Sequence, residues 1–200
     1  MQFNTKDDFI LENKHVLLRP LVAEDENYLL KFSLEEPEIW TYSLISGAGN
    51  EALKTYLQSA ILARQAGIEY AFIVWDKTTN QYAGSTRFYD IQVRNKTLQL
   101  GYTWYGKQFQ GTAINKSCKY LLLEFAFEKL AVERVEFRAD FRNKRSIAAM
   151  KSIGCIEEGV LRSNCADSND GRRDSIILSI LKSEWQETVK ALLAQKLNEF

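Results

Sequence analysis

The sequence predicts one α/β (α+β) domain with a mixed, mostly antiparallel sheet of about seven strands flanked by helices. Three strand patterns follow one another directly at 70–75, 82–91 and 97–105, with short polar turns between them, which is typical of an antiparallel meander. Amphipathic helix patterns precede and follow these strands, so helices can cover the sheet. No linker rich in Gly, Pro or Ser divides residues 1–200, and we therefore expect a single domain.

The N-terminal part is predicted to supply one strand and two helices. An apolar run at 15–21 indicates the strand, and an acidic start at 23–26 is followed by apolar residues at helical spacing. A second helix is expected over 51–66, because Gly67 is suited to the positive φ that often follows a helix end.

The C-terminal part alternates between helices and strands. A long amphipathic helix begins near Gly111. The elements predicted after it are a strand at 133–140, a helix at 143–153, and strands at 155–162 and 174–181. A final amphipathic helix over 183–200 is expected to open with a capping box of Ser183 and Gln186. Its apolar stripe, which ends at Phe200, can pack on its own core or on a second copy, so a monomer and a homodimer both remain open.

Composition narrows the classes of partner and of chemistry. Lys+Arg and Asp+Glu both number 26, so the net charge is zero, which argues against nucleic acid as a partner. No apolar run reaches the roughly 18–20 residues of a membrane span, and the first residues do not form a leader pattern, so we expect a cytoplasmic protein without a membrane partner. The lone His15 lies in a strand pattern and the three cysteines have no metal-ligand spacing, so no metal is expected.

The stretch from Leu98 to Asn115 is the most informative part of the chain. It predicts a strand, a tight loop with Gln108-x-x-Gly111-x-Ala113, and the start of a helix. The first N–H groups of a helix are unpaired and lie at its positive end, and small residues let a phosphate approach the backbone closely. The pattern matches neither the P-loop nor the dinucleotide fingerprint, and a pyrophosphate group remains the expected ligand.

The order of elements, together with this loop, resembles the GCN5-related N-acetyltransferase (GNAT) superfamily. Within it, the ribosomal-protein-alanine N-acetyltransferase-like branch is the most similar, and the resemblance covers 14–182, with 183–200 as an added C-terminal helix. The segments that carry the resemblance are Leu17-Leu18-Arg19-Pro20-Leu21 with Glu24-Asp25, Gly101-Tyr102 leading to Gln108–Ala113, Arg142-Asn143-Lys144-Arg145-Ser146, and Ile153-Gly154 continuing to Glu158-Gly159-Val160-Leu161-Arg162.

The resemblance implies a GNAT fold whose sheet is splayed between the fourth and fifth strands, 97–105 and 133–140. Acetyl-CoA, the implied acetyl donor, would enter this gap and pair with unpaired backbone groups. The residues implied to bind it are Tyr102, Thr103, Trp104, Gln108, Phe109, Gln110, Gly111, Thr112, Ala113, Ile114, Asn143 and Ser146.

The resemblance also implies catalytic roles. Many relatives place a tyrosine four residues before the glycine at 154, where this chain has Met150. The ribosomal-protein-like branch instead carries a serine in an N-x-x-S turn, which Asn143 and Ser146 match, so the resemblance implies Ser146 as the proton donor. Asn143 would bind the pantetheine or position a water molecule; from the residues alone, Asn143 and Ser146 also fit a helix start with Asn143 as N-cap.

The general base is left open by the sequence. Gln99 and Cys165 occupy positions where relatives often carry Glu, and Cys165 is expected in a solvated loop. The remaining candidates are Asp140, an acid within 167–170, and a chain of water molecules.

The predicted function is direct transfer of an acetyl group to a primary amine of a small molecule or of a protein or peptide N-terminus. The acceptor pocket is expected to be lined by the loop at 163–173 and by Trp40, Tyr42, Arg87, Tyr89 and Gln99. The neutral net charge predicts that pocket shape sets specificity. Two alternatives stay open: a non-catalytic acyl-CoA-binding or sensor module, and a structural dimer built on the last helix.

Overall fold

A computed structural model describes residues 1–167 and 171–199. Eight strands form one sheet in the order β1-β2-β3-β4-β5-β6-β8-β7. Their bounds are Leu11–Glu12 (β1), Val16–Pro20 (β2), Tyr70–Asp76 (β3), Gln81–Gln92 (β4), Thr97–Tyr105 (β5), Arg134–Asp140 (β6), Ile156–Ala166 (β7) and Arg172–Leu181 (β8). Every neighbouring pair is antiparallel except β5 with β6, which confirms the predicted mixed, mostly antiparallel sheet.

Helices cover the sheet. Their bounds are Glu26–Glu35 (α1), Asn50–Gln65 (α2), Ala113–Glu124 (α3), which continues through a π-helical turn Phe125–Lys129, and Lys144–Ser152 (α4). The C-terminal helix α5 runs through Lys182–Glu184, a π-helical turn Trp185–Val189 and Lys190–Asn198. Short 3₁₀ turns lie at Ala23–Asp25, Pro37–Trp40 and Lys107–Phe109.

The structure differs from the sequence prediction of the strands in two places. The two-residue β1 was not predicted, since a strand of this length has no detectable period. β7 and β8 extend to Ala166 and from Arg172, so most of the predicted loop 163–173 is strand, with Cys165 paired to Arg173. The polar residues of this hairpin hide it from a search for apolar alternation, because β7 is exposed along most of its length.

The splay between β5 and β6 is confirmed. Among the described residues, their parallel pairing extends only from Thr97 opposite Arg134 to Gln99 opposite Glu136. Beyond that point β5 continues to Tyr105 beside β4 alone, while β6 continues to Asp140 beside β8. One edge of β5 therefore faces a gap in the sheet.

A β-bulge changes the local direction of the β5 backbone beside this gap. Ser85 pairs with Trp104 and Arg87 with Gly101, so β5 carries one extra residue between the two pairs. Tyr102 lies within the bulge with φ of +47°. A positive φ is uncommon for a residue with a side chain and persists only where the surrounding structure holds it.

The C-terminal helix packs against the protein's own core. Trp185, Val189 and Leu193 are buried, and the Trp185 ring stacks on Phe127. The helix begins one residue earlier than predicted, so the carboxylate of Glu184, rather than Ser183 and Gln186, accepts the Leu181 N–H at 2.7 Å. The predicted stripe residue Phe200 lies outside the described residues.

No helix in the described ranges is long and apolar enough to cross a membrane.

Candidate active site

The gap between β5 and β6 opens into a cavity of about 490 Å³. Its walls come from β4, β5 and α3 on one side, from β6, α4, β7 and β8 on the other, and from the segment between α1 and α2. The predicted site residues on these walls are Trp40, Tyr42, Tyr89, Gln99, Tyr102, Thr103, Trp104, Gln110, Gly111, Asp140, Asn143 and Ser146. Residues from distant segments of the chain therefore meet at one place.

The loop before α3 presents backbone to the cavity at Gly111. Its φ is +76°, and a Cβ built there would have no atom within 4 Å. Helix α3 begins two residues later than Gly111, with Thr112 as N-cap, and the Ile114 N–H donates to the Thr112 hydroxyl at 3.3 Å. The turn thus joins an open backbone position to the positive end of a helix, where anions are stabilised.

The other residues of this loop hold its shape rather than line the cavity. Gln108 donates to Gln81 at 3.1 Å, and Phe109 is buried against Phe32. Ala113 and Ile114 form the first turn of α3, and like Thr112 they lie outside the cavity lining. Any contact from Gln108, Phe109, Thr112, Ala113 or Ile114 to a ligand would therefore come through the backbone or at the rim.

Asn143 and Ser146 lie together at the start of α4. The Asn143 side-chain oxygen accepts the Ser146 N–H at 3.1 Å, so Asn143 is the N-cap of the helix. Both residues also line the cavity. The capping role and a role in the site are compatible, because the cap uses the amide oxygen of Asn143 and leaves its NH₂ group and the Ser146 hydroxyl for other partners.

A hydrogen-bonded bridge spans the gap. Gln110 donates to the Tyr105 carbonyl at 2.8 Å and accepts a hydrogen bond from Arg145 at 2.5 Å. The loop after β5 and the start of α4 are thereby joined across the mouth of the splay.

Asp140 ends β6 and its carboxylate is fully engaged by Arg142. The Arg142 side chain donates to its two oxygens at 2.9 and 2.7 Å, and the Arg142 backbone N–H donates at 2.8 Å. These hydrogen bonds lower the pKa of Asp140, despite its burial. A carboxylate held in this way is a weak proton acceptor, so the geometry disfavours the predicted role of Asp140 as a general base. Asp170, in the other acidic segment considered, lies outside the described residues.

Aromatic side chains form the wall away from α3. Trp40 packs between Tyr56 and Trp104, with ring centroids 5.2 and 4.7 Å apart, and Tyr89 packs edge-on against Tyr102 at 5.0 Å. The indole N–H groups of Trp40 and Trp104 are buried without a partner. Buried polar atoms are normally hydrogen-bonded, and these two donors in the aromatic wall are exceptions.

Arg87 does not line the cavity and lies behind Tyr102. Its guanidinium donates to Glu69 at 2.6 Å and stacks on the rings of Tyr56 and Tyr102, with its Cζ 4.9 and 4.3 Å from their centroids. Arg87 therefore supports the strained bulge from the side away from the cavity. In this position it would not contact an acceptor directly.

Cys165 lies on β7 and lines the cavity, rather than lying in a solvated loop. Its side chain is partly buried.

Comparison with known proteins decides the family. The model of the acetyltransferase (GNAT) domain matches residues 15–156. The chain belongs to this family. This acetyltransferase is 27% identical over 180 residues to a Bacillus subtilis (strain 168) protein provisionally named ribosomal N-acetyltransferase YdaF, covering 87% of this chain and 95% of that protein.

Solved structures share its fold. A crystal structure of a protein from T. thermophilus, provisionally named an acetyltransferase, superposes with a TM-score of 0.85 at 33% identity, covering 94% of this chain and 96% of the other. The Mycobacterium smegmatis RimJ structure, in complex with CoA-disulfide, superposes with a TM-score of 0.79 at 16% identity, covering 94% and 93%. At that identity the second likeness concerns the fold alone.

Sequence reasoning did not single out four cationic side chains in the cavity of this acetyltransferase: Lys119, Arg138, Arg145 and Arg173, the last of which ends the predicted pocket segment 163–173. Arg145 stands inside the Asn143–Ser146 segment and could have been noted there. Arg138 alternates with the apolar residues of β6, Arg173 lies in the polar first part of β8, and Lys119 lies one residue after a member of the apolar stripe of α3. Their convergence depends on the splay, which composition does not reveal.

Lys119 is buried, with 5% of its surface exposed, and its amine donates to the Thr103 hydroxyl at 3.0 Å. Burial lowers the pKa of the amine from 10.5 to about 8. Among the described residues no carboxylate forms an ion pair with it. Holding this charge inside the protein therefore costs folding free energy.

Replacing Lys119 by Met is expected to increase the free energy of unfolding at pH 7 by about 2 kcal/mol. Below pH 8 the Lys119 amine is protonated in both the folded and the unfolded chain, so the wild type bears the full free-energy cost of burying this charge. Between pH 8 and about 10.5 the unfolded chain binds more protons than the folded one, so wild-type stability rises with pH and the advantage of K119M disappears. Urea unfolding at about pH 7 and about pH 10.5 measures this, with the exposed Lys14→Met as control; a loss of stability at the lower pH would contradict the prediction.

Proposed function

We propose that this acetyltransferase moves the acetyl group of acetyl-CoA directly to a primary amine of a small molecule or of a peptide N-terminus. The observation that carries the proposal is the splay, where the bulged edge of β5 at Tyr102 faces the start of α4 at Ser146 across one cavity. Acyl transfer needs donors for a developing oxyanion and a proton for the leaving group, and these two walls can supply them.

The residues present fit acetyl-CoA as the donor. The free edge of β5 offers backbone groups to the pantetheine amides, and Gly111 with the first turn of α3 offers an open, positively polarised place for the pyrophosphate. The amide NH₂ of Asn143 can reach a ligand that enters beside α4. Bound here, acetyl-CoA would supply an activated thioester carbonyl.

Backbone strain at Tyr102 supports an oxyanion role for this segment. The bulge turns the peptide groups of Tyr102 and Thr103 out of the regular ladder with β4. An N–H group fixed in this way can donate to the thioester carbonyl as negative charge develops on it, a contribution of about 3 kcal/mol to the transition state. Arg87 and Tyr56 hold the segment from behind, the latter through a 3.4 Å hydrogen bond from its hydroxyl to the Tyr102 carbonyl.

Acetyl transfer requires two proton transfers, and they define the role that we propose for Ser146. The amine nitrogen forms a bond to the acetyl carbon, the carbon–sulfur bond breaks, and sulfur leaves with the bonding electrons. Sulfur then takes one proton and the nitrogen gives up one. We assign delivery of the proton to sulfur to the Ser146 hydroxyl. Water takes the proton from nitrogen and returns a proton to the Ser146 oxygen, because the carboxylate of Asp140 is occupied by Arg142.

Binding of the donor is tested by thermal unfolding with acetyl-CoA. We expect an excess of acetyl-CoA to raise the melting temperature of the wild type by several degrees, because a ligand at about 100 times its Kd adds about 2.7 kcal/mol. Gly111→Trp should abolish this rise, because the indole would fill the open space at Gly111. Gly49→Trp is a matched control, because Gly49 also has a positive φ and open space but lies outside the cavity lining.

Transfer itself is tested by thiol release with a panel of primary amines. Release that depends on both acetyl-CoA and an amine supports the proposal. A wild type that shows no thermal shift would overturn the donor site, and a shift without thiol release for any amine would indicate an acyl-CoA-binding module instead.

A further inference from the structure

The cavity is strongly cationic although the chain as a whole is neutral. Its lining includes four cationic side chains, Lys119, Arg138, Arg145 and Arg173, against one described carboxylate, that of Asp140. Asp140 is itself neutralised by Arg142. Arg145 and Lys119 lie on the side of α4 and α3, toward the proposed donor. Arg138 and Arg173 lie on β6 and β8, on the same side of the gap as α4.

Arg173 is the cavity arginine that is both buried and without an ion pair among the described residues; Arg145 also lacks an ion pair there but is exposed. Only 6% of the Arg173 surface is exposed, and its guanidinium donates to the Ser175 hydroxyl at 2.9 Å and to the Tyr42 carbonyl at 3.3 Å. Both partners are neutral. Within the described ranges it forms no ion pair with a carboxylate, whereas Arg138 is paired with Glu136 at 2.7 Å. A buried, unpaired guanidinium is costly unless an anion joins it.

An unsatisfied polar atom lies across the gap from Arg173, on β5. Gln99 is 6% exposed, and its side-chain oxygen is buried without a partner. Its NH₂ group donates to Asp90 at 2.7 Å, which fixes the orientation of the amide because Asp90 can only accept. The free oxygen can therefore accept a hydrogen bond, and an N–H group is the donor that an amine acceptor would bring.

We propose that the acceptor carries a carboxylate as well as its amine, and that Arg173 binds the carboxylate while the side-chain oxygen of Gln99 receives a hydrogen bond from the amine. This inference rests on the proposed function and names the substrate class of the same cavity. The aromatic wall of Trp40, Tyr42 and Tyr89 would enclose the part of the acceptor between the two groups.

The positive charges of the cavity wall also influence whether the amine of the acceptor is protonated. Positive charges nearby disfavour an ammonium ion and so favour the neutral, nucleophilic nitrogen. Burial raises the pKa of the neighbouring Tyr89, and Tyr102 and Glu136 add to this rise, whereas the positive charges of Arg138 and Arg173 oppose it. A cationic pocket thus lowers the need for a carboxylate base, which the site lacks among its described, unengaged residues.

The test compares amines in matched pairs. Amino carboxylic acids and their carboxamides are assayed by thiol release at equal concentration of neutral amine, together with amidated peptides that carry Asp or Asn at the second position. We expect wild-type kcat/KM to favour the carboxylate member by about 10- to 100-fold, as for a charge-assisted hydrogen bond. The two sets distinguish a free amino acid from an acidic peptide as the source of the carboxylate.

Substitutions test which residue causes the preference for a carboxylate. Arg173→Met should remove the preference by raising KM more for the carboxylate than for the carboxamide, while acetyl-CoA still raises the melting temperature. Arg173→Lys should restore part of it, and the exposed neighbour Arg172→Met should retain all of it. Gln99→Leu should raise KM for both members of each pair.

The outcomes separate this inference from the proposed function. If no amine releases thiol, the proposed function fails and this inference with it. Acetylation of amines without a carboxylate preference in the wild type overturns this inference alone, whatever the variants do. A preference that survives Arg173→Met in a folded protein also overturns the assignment to Arg173.

Discussion

Replacing Ser146 by Ala is expected to lower kcat by about 100-fold or more while leaving the affinity for acetyl-CoA nearly unchanged. A positioned group that delivers a proton in the transition state contributes about 10² to 10⁴ in rate, and Ser146 lines the cavity from the first turn of α4. Removal of one oxygen leaves the Asn143 cap intact, because that cap uses the backbone N–H of Ser146. The loss should therefore be confined to the chemical step.

The measurement pairs thiol-release kinetics with thermal shifts by acetyl-CoA. Ser152→Ala is the matched control, because Ser152 lies on the same helix but is exposed and does not line the cavity, and its hydroxyl donates to the Ala149 carbonyl. Equal kcat in S146A and S152A would remove Ser146 from proton delivery. A lost thermal shift in S146A would assign it to donor binding instead.

Truncation of Trp185 to Ala is expected to reduce the free energy of unfolding by about 3 to 5 kcal/mol. The side chain is fully buried, its ring contacts Phe127 and Tyr120, and its N–H donates to Glu128 at 2.9 Å. The substitution leaves a cavity between α5 and the end of α3 and deprives Glu128 of one donor.

Urea unfolding measures this loss. Leu192→Ala on the same helix is the control, because Leu192 is 36% exposed, and it should cost less than about 1 kcal/mol. Trp185→Phe should fall between the two. A small effect of Trp185→Ala would contradict the packing of α5 on its own chain, and a stability that depends on protein concentration would indicate packing on a second copy.

The sequence predicts the framework of this protein well because its elements carry strong local signals. The meander from 70 to 105 has clear turn residues, Gly67 does end α2 with a φ of +80°, and the Gln108–Ala113 loop lies at the splay as the family resemblance implies. These features depend on short stretches of chain, in which spacing and turn chemistry decide the structure.

The acceptor side of the site could not be predicted in the same way. Arg87 carries the charge expected of a binding residue, yet its register on β4 places it behind Tyr102, against Glu69. Arg173 lies in what reads as a polar loop, and the pairing of β7 with β8 turns it inward. Which of two arginines meets a ligand is decided by strand register and by tertiary neighbours, and neither leaves a periodic signal.

The splay divides recognition between two kinds of chemistry. On the donor side, the proposed contacts come largely from peptide groups near Tyr102 and Gly111, which every amino acid possesses. On the acceptor side, they come from side chains such as Gln99 and Arg173. Substitutions can therefore alter the choice of amine while leaving the use of acetyl-CoA intact, so relatives of this chain can diversify in substrate without first reinventing the donor site.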